Sequence, residues 1–203
     1  PSTGIPYLLF VFAALLGWNV FAGALQRAGN SLVGDSKLIS KVYFPRMVIP
    51  IASSAAVLVD FTVAFVVMLV LMLVQGWPLT LNILVLPFLL VILLLISVGV
   101  SLFISALNVY YRDFTYALPF VIQVWMYASP VVYSGDLIPK LVKPFYAINP
   151  LVGIIDGFRW ALLAVGDFPA LSLALPLVIG MVFFVARRLS SRRGGQNFAA
   201  VLV

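Results

Sequence analysis

Apolar residues run through this chain in long unbroken, Leu-rich blocks. Five blocks fall at roughly residues 5–25, 47–75, 81–107, 115–133 and 168–186. An α-helix needs about 20 apolar residues to cross the hydrocarbon layer. A membrane β-barrel would instead alternate apolar and polar positions in segments of about ten. The blocks therefore predict helices, and the fold class they imply is an all-α polytopic membrane protein with five spans. Between the first two blocks lies the polar stretch 26–46, QRAGNSLVGDSKLISKVYFPR. The turn GWPLT joins the second block to the third, and NVYYRDF joins the third to the fourth.

Composition sharpens this picture. Of 203 residues, 64% are hydrophobic and only 9% charged, whereas soluble domains carry roughly a quarter charged residues. Lipid must be the solvent for much of the surface. The chain has no Cys and no His. That removes disulfides and thiol chemistry, together with the commonest metal ligand and general base. No G-x-x-x-x-G-K-[ST] cradle for ATP, no G-x-S-x-G elbow and no paired-carboxylate motif occurs. No catalytic, metal or cofactor site is expected, and if ATP energises transport another polypeptide must hold the ATP and its Mg²⁺.

The net charge of +6 reflects retained Lys and Arg rather than nucleic-acid binding. One set of alternate loops collects Arg27, Lys37, Lys41, Arg46, Arg112, Arg187, Arg188, Arg192 and Arg193; the other holds Lys140, Lys143 and Arg159. The positive-inside bias puts the first set in the cytoplasm. The chain would then start outside and end with a cytoplasmic C-terminus. An outer start on an odd number of spans suggests that an upstream span is missing.

Residues 136–165 break the pattern. Leu151, Ile154, Ile155, Phe158 and Leu162 recur at helical spacing, with Asp156 and Arg159 three apart on another face. About fifteen residues with two charges are too short and too polar to cross. Prolines at 139, 144 and 150 divide the region. The reading is two short helices at the outer interface; the competing one is an ordinary structured outer loop.

Few residues suggest chemistry. Asp60 lies near the middle of the second block, about 20 Å along the helix from its cytoplasmic end. Carboxylates at membrane depth are functional candidates by default. A lone acid without His, Lys or a second acid is a poor proton relay, so a hydrogen-bonding, structural role is favoured, with a proton-coupled transporter as the rival. Trp18, Phe21, Trp125, Tyr127 and Tyr133 are aromatic candidates for a channel wall, since ring faces stack on sugar C–H faces. An interfacial belt explains Trp18, Trp125 and Tyr127 less well because they sit deeper, and core packing is the favoured explanation for any one of these residues. In loop 26–46, Tyr43 and Phe44 beside Asp35, Lys37, Lys41 and Arg46 suit a docking surface for a soluble partner; a solvated basic loop is the alternative.

Three segments, NSLVGDSKLISKVYFPRMVIPIASSAAVLVDF, LNVYYRDFTYALPFVIQVWMYASPVVYS and YAINPLVGIIDGFRWALL, resemble in the same order the permease subunits of bacterial ABC exporters for polysaccharides such as O-antigen, capsule and teichoic acid. The likeness runs from PYLLFVFAALLGWNVF to about residue 165; the tail GGQNFAAVLV departs from it. It implies six spans in a complete member, a homodimer, and two copies of a separate ATPase. It implies further that residues 35–46 contact that ATPase and that 136–165 gate the exit. Arg112 and Asp113 would sit at the channel entrance, near the diphosphate of a polyprenyl-linked glycan. Export of drugs or lipids is the nearest competitor. A membrane-embedded lipid-processing enzyme would need clustered Asp, His or Arg, and only Arg112/Asp113 and Asp156/Arg159 are available.

Overall fold

The structure is a computed structural model that describes residues 4–34, 56–111, 113–133, 146, 149–178 and 180. Helix α1 spans Tyr7–Gly34 and α2 spans Val57–Val74. A 3₁₀ turn at Leu81–Val85 leads into α3, Leu86–Tyr110. Helix α4 covers Phe114–Tyr127 and α5 covers Pro150–Leu163. Residues 170–178 are again helical, and no strand occurs among the described residues. The protein is an all-α polytopic membrane protein.

Local sequence explains the helix ends. Helix α2 stops in a Schellman motif: Gly76 adopts φ 65°, its N–H reaches the Leu73 carbonyl at 3.2 Å, and the Trp77 N–H reaches Met72 at 2.9 Å. Only Gly takes that left-handed position without a steric penalty. Helix α5 begins with Asn149 as its cap and Pro150 in the first turn, where the missing N–H costs nothing.

Helix α1 is the axis of the molecule and touches α2, α3, α4 and α5. Its apolar side chains, among them Leu9, Leu16, Val20, Phe21 and Leu25, are buried in this one protomer. Small residues let the backbones close in, as is usual where lipid gives no hydrophobic drive between helices. A Cβ on Gly17 would sit 3.4 Å from the Phe158 ring, and one on Gly157 would sit 3.0 Å from Leu89. A Cβ on Gly153 would collide with the backbone carbonyl of Ser172.

Among the described residues, three helices are long and apolar enough to cross a membrane: Tyr7–Arg27, Val57–Val74 and Leu81–Ser101. The sequence places a loop at 26–46, but α1 continues to Gly34, since no proline interrupts QRAGNSLVG. The predicted fourth span, 115–133, contains only the 14-residue α4. The chain turns at 128–131, where Pro130 cannot donate into a helical ladder and restrains Ser129 before it. Of the two predicted outer helices, the second is α5. The first lies outside the described residues apart from Tyr146 at its end, as does the close of the fifth block.

Candidate functional site

Two polar features stand out in this apolar bundle. The first is a groove between α1 and α4, which run antiparallel: Tyr7 donates from its hydroxyl to the Val132 carbonyl, 3.2 Å away, at one end. Toward the other end a cavity of about 490 Å³ opens, lined by Trp18, Asn19, Ala22, Gly23 and Gln26 of α1 and by Pro119, Ile122, Gln123 and Met126 of α4. Steps of three and four residues place Asn19, Ala22, Gly23 and Gln26 on one face of α1. The small Ala22 and Gly23 form its floor, while the amides of Asn19, Gln26 and Gln123 are exposed.

The rest of α4 extends this face. Tyr116, Phe120, Gln123 and Tyr127 follow at four-, three- and four-residue steps, so they share one stripe. Tyr116 is 85% exposed, Phe120 69% and Tyr127 62%. Only Leu118 and Ile122 of α4 are buried.

The second feature is a clasp at the Tyr7 end. Arg159 of α5 is only 3% exposed. Its Nη2 donates to the Val131 carbonyl at 2.9 Å, its Nε to the Phe10 carbonyl at 3.4 Å, and its guanidinium lies 3.7 Å from the centre of the Phe10 ring. Asp156, half exposed, stands 3.7 Å away on the same helix. Burial pulls the Arg159 pKa down to about 10, with Asp156 opposing, so the group remains a cation at neutral pH. Asn149 completes the clasp. Its carbonyl oxygen accepts from the Leu151 N–H at 3.1 Å and from Trp125 Nε1 at 3.3 Å. Its amide nitrogen donates to Ser129 Oγ at 2.9 Å and to the Ala128 carbonyl at 3.3 Å.

The five aromatic channel candidates therefore separate. Trp18, Phe21 and Trp125 form one packed run, with Phe21 centred 5.9 Å from Trp18 and 5.1 Å from Trp125. Phe21 is wholly enclosed and within this protomer has no surface to offer a ligand; its ring fills the seam between α1 and α4. Trp18 is nearly enclosed and only borders the groove. Tyr133 donates to the Tyr127 carbonyl at 2.8 Å and is hydrogen-bonded to the Tyr146 hydroxyl. Burial, and then Tyr133 itself, push the Tyr146 phenol up, so it stays a neutral donor. Of the five, Tyr127 alone is largely exposed.

Asp60, expected near mid-span, instead stands in the first turn of α2, at one end of the Val57–Val74 span, paired with Arg27 near the far end of α1. The sequence predicts a loop at Arg27, but the continuation of α1 carries Arg27 on a helix to this pairing. Asp113 occupies the cap position of α4, exposed and making no side-chain cap bond. Arg112 and the coupling candidates Asp35, Lys37, Lys41, Tyr43, Phe44 and Arg46 lie outside the described residues.

Residues 2–163 match the family model of the ABC-2 type transporter membrane domain. The chain belongs to that family. It is similar to the O-antigen export system permease protein RfbA of Klebsiella pneumoniae, with 27% identity over 154 residues, 75% of this chain and 60% of the relative. The protein of the same name from Myxococcus xanthus is 27% identical over 153 residues, 74% of this chain and 58% of the relative. The matched region thus spans about three fifths of these relatives' length. In the ABC-2 family member described here, the signal for Asn149 was present as an Asn-Pro pair preceding an apolar helical run. The exposed stripe of α4 was legible as spacing, but not as exposure.

Proposed function

We propose that this chain is the channel-forming permease of an ATP-driven exporter that moves a lipid-linked polysaccharide of the O-antigen, capsule or teichoic-acid type out across the bacterial inner membrane. The observation that carries this reading is the likeness, over three quarters of the chain, to permeases named for O-antigen export. The stripe Tyr116, Phe120 and Tyr127 supports it, because exposed rings on one helix face suit repeated, position-tolerant stacking against sugars.

The working unit is a homodimer with two copies of a soluble ATPase, which hold the ATP and Mg²⁺. The segment containing Asp35, Lys37, Lys41, Tyr43, Phe44 and Arg46 is the coupling surface for that ATPase. Arg112 and Asp113 stand at the cytoplasmic entrance, where a cation meets the polyprenyl diphosphate. Asp156 and Arg159 belong to the outer gate, and the C-terminus is cytoplasmic.

Deleting the gene should leave polymer on the cytoplasmic side; polymer still reaching the surface would remove the export assignment. The protein should co-purify with a Walker-type ATPase, and joint charge reversal at Lys37, Lys41 and Arg46 should weaken that association. Undiminished pairing in the triple variant would exclude the docking segment.

A further inference from the structure

We propose that the groove between α1 and α4 is a wet, charge-free seat for an uncharged, hydroxyl-rich glycan, held through the neutral amides of Asn19, Gln26 and Gln123. The proposal rests on the export reading and narrows its substrate class from polysaccharides in general to those without regular anionic groups.

Three features converge on this. First, the amides are exposed on helices that are mostly apolar, and none of them hydrogen-bonds to another described residue. A primary amide has two donors and a carbonyl acceptor to satisfy. Facing hydrocarbon, those groups would be stranded, so this strip of α1 and α4 does not face lipid. The contrast is α2: its exposed Asp60 pairs with Arg27 and its exposed Thr62 donates to the Leu58 carbonyl, while Val59, Val63, Val66, Val70 and Leu73 are exposed and apolar.

Second, the strip is concave. Ala22 and Gly23 withdraw from the surface, and the resulting volume of about 490 Å³ falls in the range of small-molecule sites, about 300–1,000 Å³. Asn19 and Gln26 stand two helical turns apart, about 10 Å along α1, with Gln123 facing them from α4. This is a row of contact points rather than a single pocket, beside an aromatic stripe that continues along α4.

Third, no described residue lining the groove is ionisable. Arg27, next to Gln26, is already engaged with Asp60. Pores that pass phosphate or other anions place Arg or Lys on their walls, because an anion leaving water needs a compensating cation. Sugar hydroxyls need donors and acceptors instead, and each amide supplies both. A moving polymer can exchange one such bond for the next without stranding a charge.

The absence of any cysteine in the chain permits a direct test. Asn19→Cys, Gln26→Cys and Gln123→Cys are compared with Val70→Cys in the full chain, assembled with its ATPase in membranes, using a charged, water-soluble thiol reagent. The groove cysteines should react at least ~10-fold faster than Val70→Cys. A neutral gluco-oligosaccharide should slow them several-fold, and an oligogalacturonate of equal length should not. Reaction as slow as at Val70→Cys, disulfide cross-linking between two copies at these positions, protection by neither sugar or equal protection by both would each overturn the seat.

Failure of the export reading looks different: the deletion strain would still display its polymer. A surface polymer that depends on this chain should pass an anion exchanger unretained. A retained polymer would refute the neutral-substrate inference and leave export standing.

Discussion

Helices α4 and α5 are each fourteen residues long, and their surroundings are opposite. Helix α4 has no charged residue, yet only Leu118 and Ile122 are buried. Helix α5 carries Asp156 and Arg159, yet ten of its positions are buried, including Arg159 itself. Polarity does not decide burial here, because lipid is as acceptable to Phe120 or Val124 as the protein interior is. What decides it is backbone access and polar satisfaction. Helix α5 has Gly153 and Gly157 where neighbours press in, and Arg159 finds carbonyls at both Phe10 and Val131. Helix α4 keeps large side chains on its outer face and leaves that face open.

The largest break in this contrast should come from Arg159→Met. It leaves the Phe10 and Val131 carbonyls without their buried donor and removes the cation over the Phe10 ring, a loss of about 3 kcal/mol. The thermal midpoint of the solubilised complex would report it. Arg159→Lys should recover only part, because one ammonium cannot span the two carbonyls and stack on the ring. The pH dependence is also set. The folded pKa of about 10 lies below the ordinary guanidinium value, so the unfolded chain binds more protons only from about pH 10 upward, and stability from this group rises with pH only there. From about pH 6 to about pH 9 the gap between wild type and Arg159→Met should stay flat. A gap that opens or closes in that range would mean the group titrates elsewhere.

Gly153→Ala comes next. The added methyl collides with the Ser172 carbonyl, which as backbone cannot rotate away, and a cost of about 2 kcal/mol is expected from overpacking. An unchanged melting midpoint would show that residues 170–178 can withdraw from α5. Asn149→Ala removes a helix cap and the ties to Trp125 and Ser129, for about 1–2 kcal/mol. Hydrogen exchange at Leu151 should rise with it; unaltered exchange would assign the cap to another group.

The smallest stability effect belongs to α4. Tyr116→Ala and Phe120→Ala, on the open face, should each shift stability by no more than about 0.5 kcal/mol and yet lower polymer export several-fold. Export unchanged in both would return that stripe to lipid.

Much of this was legible along the chain, for reasons visible in particular residues. The blocks around Tyr7–Leu25, Val57–Val74 and Leu81–Ser101 declare helices because nothing else tolerates so much hydrocarbon contact without stranding the backbone. The GWP turn and the Asn149-Pro150 start follow from the backbone preferences of Gly and Pro. The candidate site was less legible. Trp18, Phe21 and Trp125 look like Tyr116 and Phe120 in a sequence, since a ring carries no mark of which neighbour it will meet. Asn19, Gln26 and Gln123 form a group only when α1 and α4 lie antiparallel.

The sequence by itself determined that this is a helical membrane protein whose 203 residues hold no His, no Cys and no G-x-x-x-x-G-K-[ST] run. Those properties come from solvation and composition, which are additive along the chain. Tertiary structure alone decided that Arg159 is an internal clasp, that Arg27 reaches Asp60, and that three neutral amides edge one groove. Each depends on where elements separated in sequence come together, at close approaches such as Gly17 against Phe158 and Gly23 against Val57, rather than on any local pattern.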